Sequence, residues 1–73
     1  MIEVRLFATL REGRGRTAML EAASVRSAGD ALAALGIAPG EVAILLINGF
    51  HAEPGAAVGE GDVLALFPPV GGG

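Results

Sequence analysis

Side chains that could carry chemistry are scarce in this sequence. It has no cysteine, which removes thiol nucleophiles, thiolate metal sites and disulfides. Its one histidine, His51, lacks the second histidine or cysteine that a metal site needs, so no metal ligand is expected and His51 reads as a solvated surface residue. Thr9, Thr17, Ser24 and Ser27 have no evident base to activate them. Gly59-Glu60-Gly61-Asp62 lacks the lysine, the preceding strand and the following helix of a phosphate loop, and reads as a turn. What remains is the end of the chain, Phe67-Pro68-Pro69-Val70-Gly71-Gly72-Gly73. Such an end offers chemistry at the backbone: glycine has no Cβ and admits angles closed to other residues, so Gly71, Gly72 and Gly73 could enter a narrow active site. The rigid Pro68-Pro69 pair favours an extended exit that projects Val70 and the glycines outward. Three glycines alone would equally describe an ordinary frayed terminus, so the elements before them must decide.

Those elements begin with a strand. From Ile2 to Thr9 the pattern alternates, with Ile2, Val4, Leu6 and Ala8 on one face and Glu3, Arg5, Phe7 and Thr9 on the other. The polar, glycine-rich segment Arg11 to Arg16 turns the chain into a second strand over Thr17 to Ala23. Arg11, Arg14 and Arg16 there read either as a solvated loop or as contacts for an acidic partner. Ser27 offers a helix N-cap with Asp30 three positions on, and Ala28, Ala31, Leu32 and Leu35 share one helical face before Gly36 stops it. Pro39-Gly40 turns into the apolar run Val42 to Ile47, a central strand. Asn48-Gly49 then predicts a hairpin to a short strand over Phe50 to Glu53. A last strand spans Asp62 to Phe67, where Pro68-Pro69 ends pairing because proline donates no ladder hydrogen bond. Two hairpin strands, one crossover helix and further strands predict an α+β roll, a mixed sheet with one main helix packed on one face.

Alternation assigns the two faces of that sheet. Ile2, Val4, Leu6, Leu45, Ile47, Leu64 and Leu66 point toward the helix, leaving Phe7, Ile44, Leu46, Val63 and Phe67 on the other side. That second set is too apolar for a solvent face and predicts a patch that binds a partner.

The bulk properties bound the rest. A chain of 73 residues is one domain with one small core, expected over 1–67, with a flexible tail over 68–73. With 52% hydrophobic and 18% charged residues it has the composition of a folded globule. Five arginines against eight acids leave a net charge of −3, which argues against nucleic acid as a partner. There is no lysine. No apolar run approaches the ~20 residues of a membrane span and the start lacks a signal-peptide pattern. No membrane association is therefore expected, and a cytoplasmic location fits.

With this element order in place, the opening Met1-Ile2-Glu3-Val4-Arg5-Leu6-Phe7-Ala8, the Arg11-Glu12 pair, the Asn48 turn, the Gly61-Asp62 step and the terminal Phe-Pro-Pro-Val-Gly-Gly-Gly run resemble the MoaD/ThiS family of sulfur carriers over essentially the whole chain. Together these features look most like the small subunits of molybdopterin synthase, with the Phe-Pro-Pro-Val tail the most specific of them, although Gly71 stands where the family more often has another small or polar residue. The resemblance implies a β-grasp (ubiquitin-like) fold and a protein that is not itself an enzyme. It implies that the Gly73 carboxylate is adenylated by a ubiquitin-activating-enzyme-like partner, which uses the ATP, and then becomes a thiocarboxylate. The sulfur would go to the molybdenum or tungsten pterin cofactor through a synthase large subunit, with no cofactor bound by this chain. Sulfur delivery to thiamin thiazole or to an amino acid, and a ubiquitin-like modifier that joins the lysines of other proteins, are the alternatives it leaves open.

Overall fold

The computed structural model describes residues 1–69 of the chain. Its elements are β1 (Ile2–Leu6), β2 (Thr17–Leu20), α1 (Ala28–Ala34), β3 (Ile44–Ile47), β4 (Phe50–His51) and β5 (Val63–Phe67), with 3₁₀ turns at Ala8–Arg11, Ala22–Ser24 and Pro39–Glu41. The five strands form one sheet in the order β2-β1-β5-β3-β4; β1 and β5 run parallel at its middle and the other pairings are antiparallel. This is the β-grasp arrangement that the resemblance implies.

One face of the sheet carries the core. Ile2, Val4 and Leu6 of β1, Leu64 and Leu66 of β5 and Leu45 of β3 are buried against Ala28, Ala31 and Leu32 of α1, and Leu10, Val25 and Ile37 close the sides. Ile47, also expected on this face, is partly buried against the same cluster. The alternating pattern predicts this because a period of two puts every second strand residue on one side.

The helix is held at both ends. At the N-terminus the Ser27 hydroxyl accepts from the Asp30 N–H at 3.1 Å, and the Asp30 carboxylate accepts from the Arg26 N–H at 3.1 Å, a displaced form of the expected capping box. The Ala28 and Gly29 N–H groups donate to the carbonyls of Ala56 (2.9 Å) and Pro54 (2.7 Å), so the loop after β4 satisfies the remaining free donors of the first turn. At the C-terminus Gly36 is left-handed (φ 71), and Ile37 N–H donates to Leu32 while Gly36 N–H donates to Ala33, the double closure of a Schellman motif. The β3–β4 hairpin turns at Asn48 (φ 52) and Gly49 (φ 86), as the Asn-Gly pair predicts.

The strands are shorter than the sequence patterns predict. β2 ends at Leu20 and β4 at His51. The run expected to begin at Val42 pairs only from Ile44. The largest departure is in the first strand, which ends at Leu6 and not at Thr9. Ala8 adopts φ 53 and starts a 3₁₀ turn, so it is exposed and does not continue the core face. The strand stops where Ala8 turns left-handed: Phe7 N–H makes the last ladder bond, to the Leu66 carbonyl, and Leu10 N–H closes back on the Phe7 carbonyl, with Leu10 buried in the core cluster.

Candidate functional site

The register of the sheet assembles the predicted patch. Ile44 lies opposite Phe67 and Leu46 opposite Ala65 across β3 and β5, while Val63 and Ala65 lie beside Glu3 and Arg5 across β5 and β1. Phe7, still extended although past the end of β1, continues the outward alternation. Phe7, Ile44, Leu46, Val63 and Phe67 therefore share the face away from α1, all of them partly or largely exposed, with Ile44 at 40%. Ala65 belongs to the same set, and alternation along β5 would have found it. Toward β2 the apolar area is bounded by Glu3 and Arg5, which pair with each other. The patch therefore spans β3, β5 and the end of β1, and not the whole sheet.

Its densest part is at the root of the tail. The rings of Phe7 and Phe67 stack with centroids 4.3 Å apart and planes 10° from parallel. The guanidinium of Arg11 sits over the Phe7 ring, 5.4 Å from its centroid, and Arg11 Nε donates to the Leu6 carbonyl at 2.8 Å. Phe7, Ala8, Thr9, Ile44, Phe67, Pro68 and Pro69 line a shallow, mainly apolar cleft of about 420 Å³. The 3₁₀ turn after Phe7 is what brings Arg11 back, and the strand pattern gave no sign of it. Pro68 and Pro69 follow β5 directly and form one wall of the cleft. Val70, Gly71, Gly72 and Gly73, the other predicted tail residues, lie outside the described residues.

The remaining polar residues act within the fold. Arg14 donates to the carbonyls of Leu10 (3.3 Å), Leu35 (3.0 Å) and Gly36 (3.2 Å), tying the loop after β1 to the end of α1. Of the arginines read as loop or partner contacts, Arg11 and Arg14 are therefore engaged inside the molecule. The Gly59–Asp62 segment is a turn, as expected, and it is clasped to the β3–β4 hairpin. Asn48 Nδ2 donates to Asp62 Oδ1 at 3.0 Å, Val63 N–H donates to Asn48 Oδ1 at 2.9 Å, and Gly59 N–H donates to Asp62 Oδ2 at 2.9 Å. The Asn48 amide, and then the Gly59 N–H, favour the ionised form of Asp62 and lower its pKa below the ordinary 3.8. His51 is exposed on the outer side of β4. Among the described residues no group of three or more histidines, cysteines and acids could hold a metal ion. No helix there is long and apolar enough to cross a membrane.

Among the described residues no hydroxyl makes a hydrogen bond to a side-chain base; the Ser27 hydroxyl is taken up as the helix cap. What the geometry supplies is an apolar, partly exposed sheet face that ends at Phe67, Pro68 and Pro69, just before the glycines of the sequence. Comparison with known proteins points the same way. The model of the ThiS family matches residues 4–73. The crystal structure of SAMP1 from Haloferax volcanii matches at TM-score 0.76 with 38% identity over 99% of this chain and 98% of that one. A second set of coordinates for small archaeal modifier protein 1 of the same organism matches at TM-score 0.77 with 35% identity over 94% and 97%. The solution structure of a further Haloferax volcanii protein matches at TM-score 0.75 with 28% identity over 99% and 85%. No protein among those with curated descriptions matches the chain.

Proposed function

Because the chain belongs to the ThiS family of ubiquitin-like proteins, we propose that it is a carrier whose reactive group is the α-carboxylate of Gly73, used by other proteins and not by a catalytic site of its own. The observation that carries the reading is the continuity of patch and tail: β5 ends at Phe67 inside the apolar outer face, and Pro68-Pro69-Val70-Gly71-Gly72-Gly73 follows without interruption. In this reading residues 1–67 are the domain a partner recognises and 68–73 the arm it threads. A ubiquitin-activating-enzyme-like partner binds the face formed by Phe7, Ile44, Leu46, Val63 and Phe67. There a Gly73 carboxylate oxygen attacks the α-phosphorus of the partner's ATP, pyrophosphate leaves, and an acyl adenylate results. Hydrosulfide-level sulfur then attacks the acyl carbon and AMP leaves, which gives the thiocarboxylate. We assign the sulfur to the molybdenum or tungsten pterin cofactor, delivered to the large subunit of molybdopterin synthase, on the strength of the Pro-Pro-Val before the glycines. The chain itself binds no cofactor, nucleic acid or membrane in this reading, and works in the cytoplasm.

The likeness to small archaeal modifier proteins favours a second reading that shares the adenylation step. There the acyl adenylate is consumed by the amine of a lysine on another protein, which forms an isopeptide and releases AMP. Intact mass after co-expression with the activating partner and a sulfur source separates the two. Carrier function predicts a gain equal to the oxygen-to-sulfur difference at Gly73, and modifier function predicts lysine-linked adducts on other proteins. If neither product forms, both readings are wrong.

A further inference from the structure

We propose that Arg11 is a positioning residue for activation of the C-terminal glycine, acting through Phe7 and Phe67 to set the direction in which the chain leaves the sheet. The inference rests on the reading that a partner activates Gly73. Its basis is a pair of contacts that meet at Phe7. The Arg11 guanidinium lies 5.4 Å from the Phe7 ring centroid, and the Phe7 ring lies 4.3 Å from that of Phe67, nearly parallel to it. Phe67 is the last residue of β5, and Pro68 follows it at once. Its backbone carbonyl accepts from the Ala43 N–H at 2.8 Å, and the Phe7 N–H donates to the Leu66 carbonyl at 3.2 Å. The final strand residue is thus held by its backbone on one side and by its ring on the other, with the arginine closing the stack.

This packing is separate from the core. Phe7 and Phe67 lie on the opposite face of the sheet from Leu6 and Leu66, which are fully buried. What the stack restrains is therefore local: the orientation of the chain where it turns into Pro68-Pro69. An activating enzyme has to hold the apolar face and draw the tail into its active site together, and the two requirements meet at Phe67. Residues 68–73 drawn out straight would reach about 20 Å, so a small tilt at their root displaces the far carboxylate by several ångströms. Arginine suits the position because its planar guanidinium stacks on a ring while its Nε keeps a donor for the Leu6 carbonyl at 2.8 Å. A lysine ammonium is a point charge and does not reproduce both contacts. The left-handed Ala8 (φ 53) turns the chain so that Arg11 returns over Phe7.

The test is ATP–pyrophosphate exchange catalysed by the activating enzyme of the source organism, with the full chain as substrate. We compare wild type, Arg11→Ala, Arg11→Lys and Leu20→Ala, the last a control in the far edge strand β2. Misplacement of a reacting group predicts that Arg11→Ala lowers kcat about tenfold with KM nearly unchanged, and that Arg11→Lys fails to restore it. In the isolated protein, with circular dichroism confirming that the variant is folded, NMR should show Arg11→Ala losing the ring-current shifts of Phe7 and Phe67 and exchanging the Ala43 amide faster. Leu20→Ala should lower stability and leave kcat alone. A rise in KM alone would make Arg11 an ordinary contact residue and overturn the proposal, as would an unchanged kcat or unaltered ring shifts. If wild type itself supports no exchange, the activation reading fails and this inference falls with it; an active wild type matched by Arg11→Ala removes this inference only.

Discussion

Asp62 shows how one polar side chain joins two segments that the sequence keeps apart. Its carboxylate is bound by the Asn48 amide and the Gly59 N–H, and these bonds lower its pKa from 3.8. A carboxyl whose folded pKa is lowered contributes stability above its unfolded value and loses it as pH falls through the folded one. Urea midpoints should therefore separate wild type from Asp62→Asn at pH 7, with the gap closing as the solution is acidified below 3.8. A gap that stays constant would mean that the charge contributes nothing. Ala8 makes a second prediction at this scale. It sits at φ 53 on an exposed turn, where glycine carries no Cβ penalty, so Ala8→Gly should raise stability by about 0.5–1 kcal/mol in denaturant titration.

At the scale of elements, the short helix α1 depends on its ends more than on its length. A helix of seven residues is below the length at which helices hold themselves in water, so caps and packing decide whether it forms. Ser27→Ala removes the acceptor for the Asp30 N–H and should cost about 1 kcal/mol, read as a lower thermal midpoint. Arg14 restrains the other end by donating to three carbonyls, two of them at the close of α1. Arg14→Ala should cost about 2 kcal/mol, as expected when charged hydrogen bonds are lost, whereas Arg16→Ala in the same exposed loop should cost under about 0.5 kcal/mol. Equal effects for the two would contradict the assignment of Arg14 to the fold. The loop after β4 is part of the same element, since its carbonyls at Pro54 and Ala56 receive the first N–H groups of the helix.

For the whole molecule, the division between the core face and the apolar outer face sets what substitutions do. Leu64 is completely buried at the centre of a small core, so Leu64→Ala should cost about 3 kcal/mol, a large part of the stability available to a domain this size. Leu46, on the other face and partly exposed, should tolerate Leu46→Asp with a small change in melting temperature while activation by the partner is lost. Removal of Gly72 and Gly73 should likewise leave the circular dichroism spectrum unchanged and abolish adenylation. Having no lysine, the chain cannot build side-chain-linked polymers of itself, so a modifier function would show single additions on its targets.

The sequence by itself determined the elements whose physics is local. Alternation over Ile2 to Leu6 and along β5, the Ser27 cap, the Gly36 stop and the Asn48-Gly49 turn each depend on a few adjacent residues, and these stand where their patterns placed them. It also determined the two faces of the sheet, because a period of two needs only the direction of one residue to orient the rest. Only the tertiary structure decided which of those outward residues become neighbours. The pairing of Ile44 with Phe67 and the stacking of Phe7 on Phe67 join positions far apart in the chain, and the turn after β1 sets Arg11 over Phe7. The capture of Arg14 by the end of α1 is of the same kind, and no local pattern encodes it. The early end of β1 also departs from the local pattern: alternation ran on to Thr9, but Ala8 takes φ 53 and opens the 3₁₀ turn in which Leu10 is buried.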